Sequence, residues 1–264
     1  MAQCLTGCEG CPSRSTCSSR DTLLPLVAEI SERFSGKTLF AVMSGKGGVG
    51  KSTIAASLAV ALSKKQPTCL VDCDIAGPSI GRITNTAPSI VAGGEAIPSV
   101  VGALSVITPS ESLSEGEHTP GAAILKYLLS IPTEPFECLV FDTPPGTSDV
   151  HITLGKYLSS LQVVLVTTPH PLSLADAIRE VDFCQKARLR VVGVLENMAS
   201  FACRSCARVS SLFPRAKVQE GFEALGVAYL GSLPLRVQVA KDADNGKVSL
   251  DLPEEVLQRI CSGC

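Results

Sequence analysis

Apolar residues in this chain fall into short unbroken blocks separated by longer stretches with helical spacing, and the two kinds alternate from residue 38 onward. Blocks such as Val163-Val164-Leu165-Val166 lack a period of two, the pattern of strands covered on both faces within a mainly parallel sheet. Such blocks predict strands near 38–44, 68–73, 101–107, 138–142, 162–168, 189–195 and 227–231. Helical spacing predicts helices near 52–64, 120–131, 149–160, 172–187, 215–225 and 253–261. A further helix is expected from Leu23 to Phe34, with Asp21 as N-cap and Pro25 close to its first turn. Alternating strands and helices specify an α/β fold, a mainly parallel, doubly wound sheet flanked by helices. Residues 85–100, rich in Pro, Gly and Ser, read as a surface loop, and 109–120 as another.

The loop after the first strand carries the most specific motif. Gly45-Lys46-Gly47-Gly48-Val49-Gly50-Lys51-Ser52-Thr53 fits G-x-x-x-x-G-K-[ST], with a second lysine, Lys46, directly after the first glycine. Glycines let backbone N–H groups close around phosphate oxygens, Lys51 supplies a point charge to the β- and γ-phosphates, and the Ser52 hydroxyl ligates Mg²⁺. Hydrolysis also needs carboxylates. Asp72 and Asp74 end one strand, two positions apart and on one face, and Asp142 ends another at the start of a Pro-Pro-Gly loop. The functional reading gives Asp142 to Mg²⁺ through water, Asp74 to the attacking water and Asp72 to the nucleotide site; helix capping is the plainer alternative for each.

The 264 residues are 45% hydrophobic, ample for a core, and carry a net charge of −2. No Lys/Arg run appears, and no Trp, three Tyr and eight Phe leave little for base stacking, so neither nucleic acid nor a membrane is expected as a partner. No apolar signal region opens the chain and no stretch reaches about 18 consecutive apolar residues, so a soluble cytoplasmic protein is expected. In that reducing setting twelve cysteines point to metal before disulfides. Cys69, Cys73, Cys138 and Cys184 lie singly in apolar elements and read as small buried hydrophobes. Cys4, Cys8, Cys11 and Cys17 form a cluster, and Cys203/Cys206 and Cys261/Cys264 are C-x-x-C pairs. A pair supplies two thiolates where an iron–sulfur cluster or Zn²⁺ usually takes four, so Cys203 and Cys206 point to a site completed by a second copy, with zinc as the alternative to a cluster. The last pair stays unassigned. His118, His151 and His170 read as solvated or packed, His170 near the ligand edge of the sheet, and Arg179, Glu180, Asp182 and Lys186 read as the solvated face of their helix.

The double-lysine loop, Asp72-Cys73-Asp74-Ile75-Ala76-Gly77-Pro78-Ser79, Asp142-Thr143-Pro144-Pro145-Gly146-Thr147-Ser148-Asp149 and Glu196-Asn197-Met198 together resemble the Mrp/NUBP iron–sulfur carrier ATPases. These form a branch of the deviant Walker A class that also holds MinD, ParA and the nitrogenase iron protein, and the resemblance covers roughly residues 37–250. It implies a slow Mg-ATPase used as a conformational switch, with ATP, Mg²⁺ and [4Fe-4S] clusters as cofactors. It implies a homodimer, or a heterodimer with a related P-loop ATPase, that serves apo iron–sulfur proteins and assembly factors. Lys46 would reach the phosphates held by the other subunit, Asn197 would contact the adenine, Leu235 to Asp244 would border the base, and Cys203 and Cys206 would seat a cluster bridging two chains. Cys4, Cys8, Cys11 and Cys17 resemble the ferredoxin-like extension of the NUBP subclass, which implies a second cluster, with zinc as the alternative. Two departures stand out: the Cys4–Cys8 interval is shorter than in the subclass, and Arg204 follows the first cysteine of the pair where the family commonly has proline. The expected organisation is a cysteine segment over 1–20, a P-loop NTPase domain over 21–252 and a C-terminal helix with the Cys-x-x-Cys tail over 253–264. Competing readings are a MinD/ParA-like positioning ATPase and a zinc-binding regulatory P-loop protein.

Overall fold

A computed structural model describes residues 28–110, 120–203, 205–213 and 217–262. Cys4, Cys8, Cys11, Cys17, His118, Arg204 and Cys264 therefore lie outside the described residues, as do the start of the helix expected from Leu23 and most of the loop at 109–120.

The strands, in chain order, are β1 (Thr38–Met43), β2 (Thr68–Asp72), β3 (Val91–Ala92), β4 (Glu95–Ala96), β5 (Ser99–Val101), β6 (Leu104–Ile107), β7 (Cys138–Asp142), β8 (Leu161–Thr167), β9 (Arg190–Glu196), β10 (Phe201–Ala202), β11 (Val209–Ser210) and β12 (Tyr229–Ser232). Eight of them form one sheet in the order β12-β9-β8-β1-β7-β2-β6-β5, parallel throughout except where β5 runs against β6. The chain leaves β1 toward one edge, returns to insert β7, and then crosses to β8 on the other side of β1. That reversal opens the crevice at the carboxyl ends of β1, β7 and β8 where α/β sheets bind ligands.

Burial explains the unbroken apolar blocks. Along β1, Leu39, Ala41 and Met43 join one core while Phe40 and Val42 join another on the opposite face. The first core packs the helices Pro120–Ser130, Asp149–Tyr157 and Pro171–Lys186; the second packs Lys51–Ser63, Ile80–Thr84 and Glu254–Cys261. With both faces covered, no strand position is left for a polar alternation. Cys69, Cys73, Cys138 and Cys184 are fully buried among these side chains, and burial pushes the Cys184 thiol up to about 12, so they serve as hydrophobes.

The structure corrects several local expectations. The strand expected over 101–107 is the antiparallel pair β5 and β6, turned at Gly102, whose φ of 62° suits glycine. The loop expected over 85–100 contains the β3–β4 hairpin, whose central Gly93 and Gly94 both have positive φ, as a type I′ turn requires. Short helices at Ile80–Thr84 and Val237–Asp244 and the hairpin β10–β11 had no sequence signal strong enough to announce them. Glu180, expected on a solvated face, is buried: it lies in the stripe Ser173, Ala177, Val181 and Cys184 that faces the sheet.

Candidate functional site

Every candidate side chain of the nucleotide site hangs from the carboxyl edge of the central strands. The phosphate loop leaves β1 and enters the helix Lys51–Ser63 through Gly50, which is left-handed at φ 87° and offers no side-chain cap. No acidic residue stands in the first turn either, so the opening N–H groups of that helix are left for an anion. Two glycines are required by space. A Cβ on Gly45 would run into the Asp176 carbonyl, and one on Gly50 into the Asn197 amide. A pocket of about 320 Å³ over the loop is lined by Lys46, Lys51, Ser52, Thr53, Asp74 and Pro145 among others. Roomier clefts exist, such as one of about 530 Å³ where Glu29, Glu32, Glu95 and Glu134 outnumber Arg33 and Lys37, but its excess of carboxylates disfavours phosphate and no glycine lines it.

Lys51 is buried, with its Nζ 2.6 Å from Asp142 Oδ1 and 3.2 Å from Ser52 Oγ. Asp142 is wholly enclosed, and its Oδ2 meets no hydrogen-bond partner among the described residues. Burial pushes this carboxyl above its ordinary value while Lys51 pulls it back. An orphaned, enclosed carboxylate oxygen beside a serine hydroxyl is a donor set suited to a hard divalent cation, so Ser52 and Asp142 fit Mg²⁺. Asp74 is half-buried at the pocket wall and accepts from Gly77 N–H at 3.1 Å.

Asp72 is fully buried, and backbone donors surround its carboxylate. Its Oδ1 accepts from Asp74 N–H at 3.0 Å, and its Oδ2 accepts from Ser79 and Ile80 N–H, each at 3.0 Å. Both oxygens are taken by backbone, so Asp72 shapes the loop that carries Asp74 and caps the short helix Ile80–Thr84. Burial and the nearby Asp142 charge push it up to about 7. Asn197 is buried beside the phosphate loop. Its Nδ2 donates to the Val49 carbonyl at 2.9 Å, so the amide braces the phosphate loop. Lys46 is exposed beside the pocket, and its carbonyl accepts from Ser44 Oγ at 3.0 Å.

His151 is the residue whose importance the sequence did not reveal. It is fully buried and joins both ends of the Thr143–Ser148 loop, with Nδ1 3.2 Å from Ser148 N and Nε2 3.0 Å from Thr143 Oγ1. Burial first, and then the Lys51 charge, lower it to about 4, which keeps the ring neutral. The available signal was its place three residues after Ser148, the spacing of a capping box. His170 caps the helix Pro171–Lys186, accepting from Leu172 N–H at 3.2 Å, and meets Phe213 edge-on.

The cysteine pair sits in the turn of the β10–β11 hairpin, half-buried at Cys203 and exposed at Cys206. Backbone N–H groups of Cys206 and Ser205, and then the Cys206 side chain, lower the Cys203 thiol from its ordinary value. N–H groups aimed at sulfur favour the thiolate, the form that binds metal. Among the described residues no group of three or more His, Cys, Asp or Glu side chains could hold a metal ion, so this pair offers two ligands and no more. The hairpin is pinned to the chain beyond β12 by Leu235 N–H to Ser200 O at 2.7 Å and Ala199 N–H to Leu233 O at 2.9 Å. Among the described residues no helix is long and apolar enough to cross a membrane.

Comparison with known proteins agrees with this geometry. The family model of the ParA group described as NUBPL iron-transfer P-loop NTPase matches residues 35–262. The cytosolic Fe-S cluster assembly factor Nubp1 homolog of Drosophila sechellia is 36% identical over 292 residues, covering 97% of this chain and 91% of that protein. The Drosophila melanogaster protein of the same name is 34% identical over 293 residues, with the same coverage of 97% and 91%. Among solved structures, a nucleotide-binding protein from Archaeoglobus fulgidus in complex with ADP superposes with a TM-score of 0.73 at 28% identity, over 87% of this chain and 95% of that one. The cell division ATPase MinD of Pyrococcus furiosus shares the fold, with a TM-score of 0.66 at 18% identity over 86% and 99% of the two chains. With a phosphate loop, an enclosed aspartate beside it and a match spanning nearly the whole sequence, the chain belongs to the NUBPL iron-transfer P-loop NTPase family.

Proposed function

We propose that this protein is a slow Mg²⁺-dependent ATPase of the cytosol whose nucleotide state governs the holding and release of an iron–sulfur cluster destined for apoproteins. The observation that carries the reading is the short path between its two sites. Asn197 braces the phosphate loop at Val49, and Cys203 follows six positions later on an exposed turn. The relatives' name, cytosolic Fe-S cluster assembly factor, supports both the compartment and the cargo.

In this reading the N–H groups of residues 45–53 receive phosphate oxygens and Lys51 neutralises the β- and γ-phosphates. Ser52 and, through water, Asp142 hold Mg²⁺, which when bound supplies further charge neutralisation. Asp74 orients the attacking water, and the exposed Lys46 reaches the phosphates held by a second copy or a related P-loop ATPase. Pairing of two chains brings two cysteine turns together, and the four thiolates match the ligand count of a [4Fe-4S] cluster, which is the cargo. The segment 1–20 contributes a second cluster through Cys4, Cys8, Cys11 and Cys17, ahead of the NTPase domain over 21–252 and the tail over 253–264. Hydrolysis acts as a switch between paired and separated states rather than as metabolic chemistry.

Anaerobic reconstitution of the full chain with ferrous iron and sulfide tests this. Visible charge-transfer absorbance that drops in a Cys203→Ala/Cys206→Ala variant supports the bridging seat. Unchanged absorbance in that variant removes it, and zinc bound in place of iron would make the turn a zinc site.

A further inference from the structure

The proposed ATPase leaves the fully buried His151 without a role, although its ring contacts both ends of the loop that follows Asp142. The backbone N–H of Ser148 can only donate, so the Nδ1 that it meets at 3.2 Å must be an unprotonated acceptor. A neutral ring then carries its proton on Nε2, which faces Thr143 Oγ1 at 3.0 Å. With Thr143 Oγ1 accepting from the ring, its own proton goes to the Val42 carbonyl at 2.9 Å, on the strand that feeds the phosphate loop. The Ser148 hydroxyl, 3.0 Å from Nδ1, donates to the same nitrogen. One hydrogen-bonded run therefore joins Ser148, His151, Thr143 and Val42.

What the run encloses matters. Between its ends, Pro145 lines the phosphate pocket, and Gly146, at φ 70°, donates its N–H to the Ser44 carbonyl at 2.7 Å. At its near end stands Asp142, whose carboxylate holds Lys51. The loop is thus tied to the phosphate site at Gly146 and to the core at His151, and its two prolines leave few other backbone donors to fix it.

We propose that His151, as the neutral Nε2–H tautomer, is a positioning residue that holds the Thr143–Ser148 loop, and through it Asp142 and Gly146, in register with the phosphate pocket. It acts through Thr143 and Ser148, the two residues its ring nitrogens meet. The proposal rests on the ATPase reading for its catalytic consequence, and on the ring geometry alone for its arrangement.

A glutamine carboxamide has an acceptor and a donor at nearly the spacing of the two imidazole nitrogens, so His151→Gln can accept from Ser148 N–H and donate to Thr143 Oγ1. His151→Phe keeps the ring and loses both bonds. Steady-state Mg-ATP hydrolysis by the full chain is expected to show kcat lowered about 10- to 100-fold in His151→Phe, the equivalent of two lost hydrogen bonds, with KM for ATP changed less than about threefold. His151→Gln should recover most of kcat. Histidine ring ¹⁵N NMR of the wild type should show Nδ1 as an unprotonated acceptor, and thermal melts separate these effects from simple unfolding. Full kcat in His151→Phe, a glutamine variant as slow as the phenylalanine one, or a protonated Nδ1 would each overturn the proposal. A wild type without Mg-dependent turnover would instead overturn the ATPase reading and the catalytic consequence with it, while the ¹⁵N signals would still decide the ring's arrangement.

Discussion

The side-chain amide of Asn197 donates to the carbonyl of Val49 at 2.9 Å, joining the end of β9 to the middle of the phosphate loop. The bond is buried, and its donor sits where a Cβ on Gly50 would have to go, so loop and strand end are packed as one unit. Removing the amide in Asn197→Ala leaves the Val49 carbonyl without this donor and frees the loop. The expected loss is about 1–3 kcal/mol, or roughly 5- to 150-fold weaker nucleotide binding, measurable by calorimetric titration with ADP. Asn197→Asp should be worse, because a carboxylate would face a carbonyl.

Lys51 and Asp142 form a buried pair, and each partner answers to a different assay. Asp142→Asn keeps an acceptor for Lys51 but, on the proposed assignment, should weaken the hold on Mg²⁺. Turnover should fall about 100-fold or more while ADP still binds. Lys51→Met strands an enclosed carboxylate and should destabilise the fold by about 3–5 kcal/mol, read from urea midpoints, besides abolishing turnover.

Glu180 offers a test by pH. Burial raises its carboxyl from 4.5 to about 7, and its Oε1 has no partner among the described residues. A folded pKa above the unfolded one means that the native state holds a proton the unfolded chain has given up, so this group costs stability as pH rises from about 4.5 to about 7. Glu180→Gln should therefore be more stable than wild type by about 1–3 kcal/mol near neutrality and above, and the gain should vanish toward acid pH. Urea melts of both proteins across that range check the sign.

Space decides the glycines. Gly45→Ala drives a methyl into the Asp176 carbonyl, a backbone atom of the helix Pro171–Lys186 that has no room to rotate away. Loss of nucleotide binding by about tenfold or more is expected, together with a lower melting temperature, because overpacking commonly costs about 1–3 kcal/mol.

Much of this was legible in the residues. The central strands β1, β2, β7 and β8 announced themselves because they are covered on both faces, and an uninterrupted block such as Phe40-Ala41-Val42-Met43 has few other uses. The phosphate loop was legible because its glycines answer to geometry rather than to packing. What stayed hidden depended on contacts distant in sequence. Glu180 looked exposed beside Arg179 and Asp182, yet it is buried with Ala177, Val181 and Cys184 on the inner side of its helix. The sequence put Asp72 and Asp74 on one face at a strand end, but did not show the fold-back of Ser79 and Ile80 onto Asp72 that leaves Asp74 at the pocket wall. His151 was unremarkable until Thr143, eight positions earlier, came within 3.0 Å of its ring.

The central claim is that the phosphate loop and the Cys203/Cys206 seat respond to one another through the segment that begins at Asn197. The direct measurement is the rate at which a chelator extracts iron from the anaerobically reconstituted protein, with and without Mg-ATP, in wild type and in the Lys51→Gln variant. A coupling of about 1–3 kcal/mol predicts that Mg-ATP changes the Cys203/Cys206-dependent rate roughly 5- to 150-fold in wild type and leaves it unchanged in Lys51→Gln. Equal rates in wild type with and without nucleotide would contradict the account.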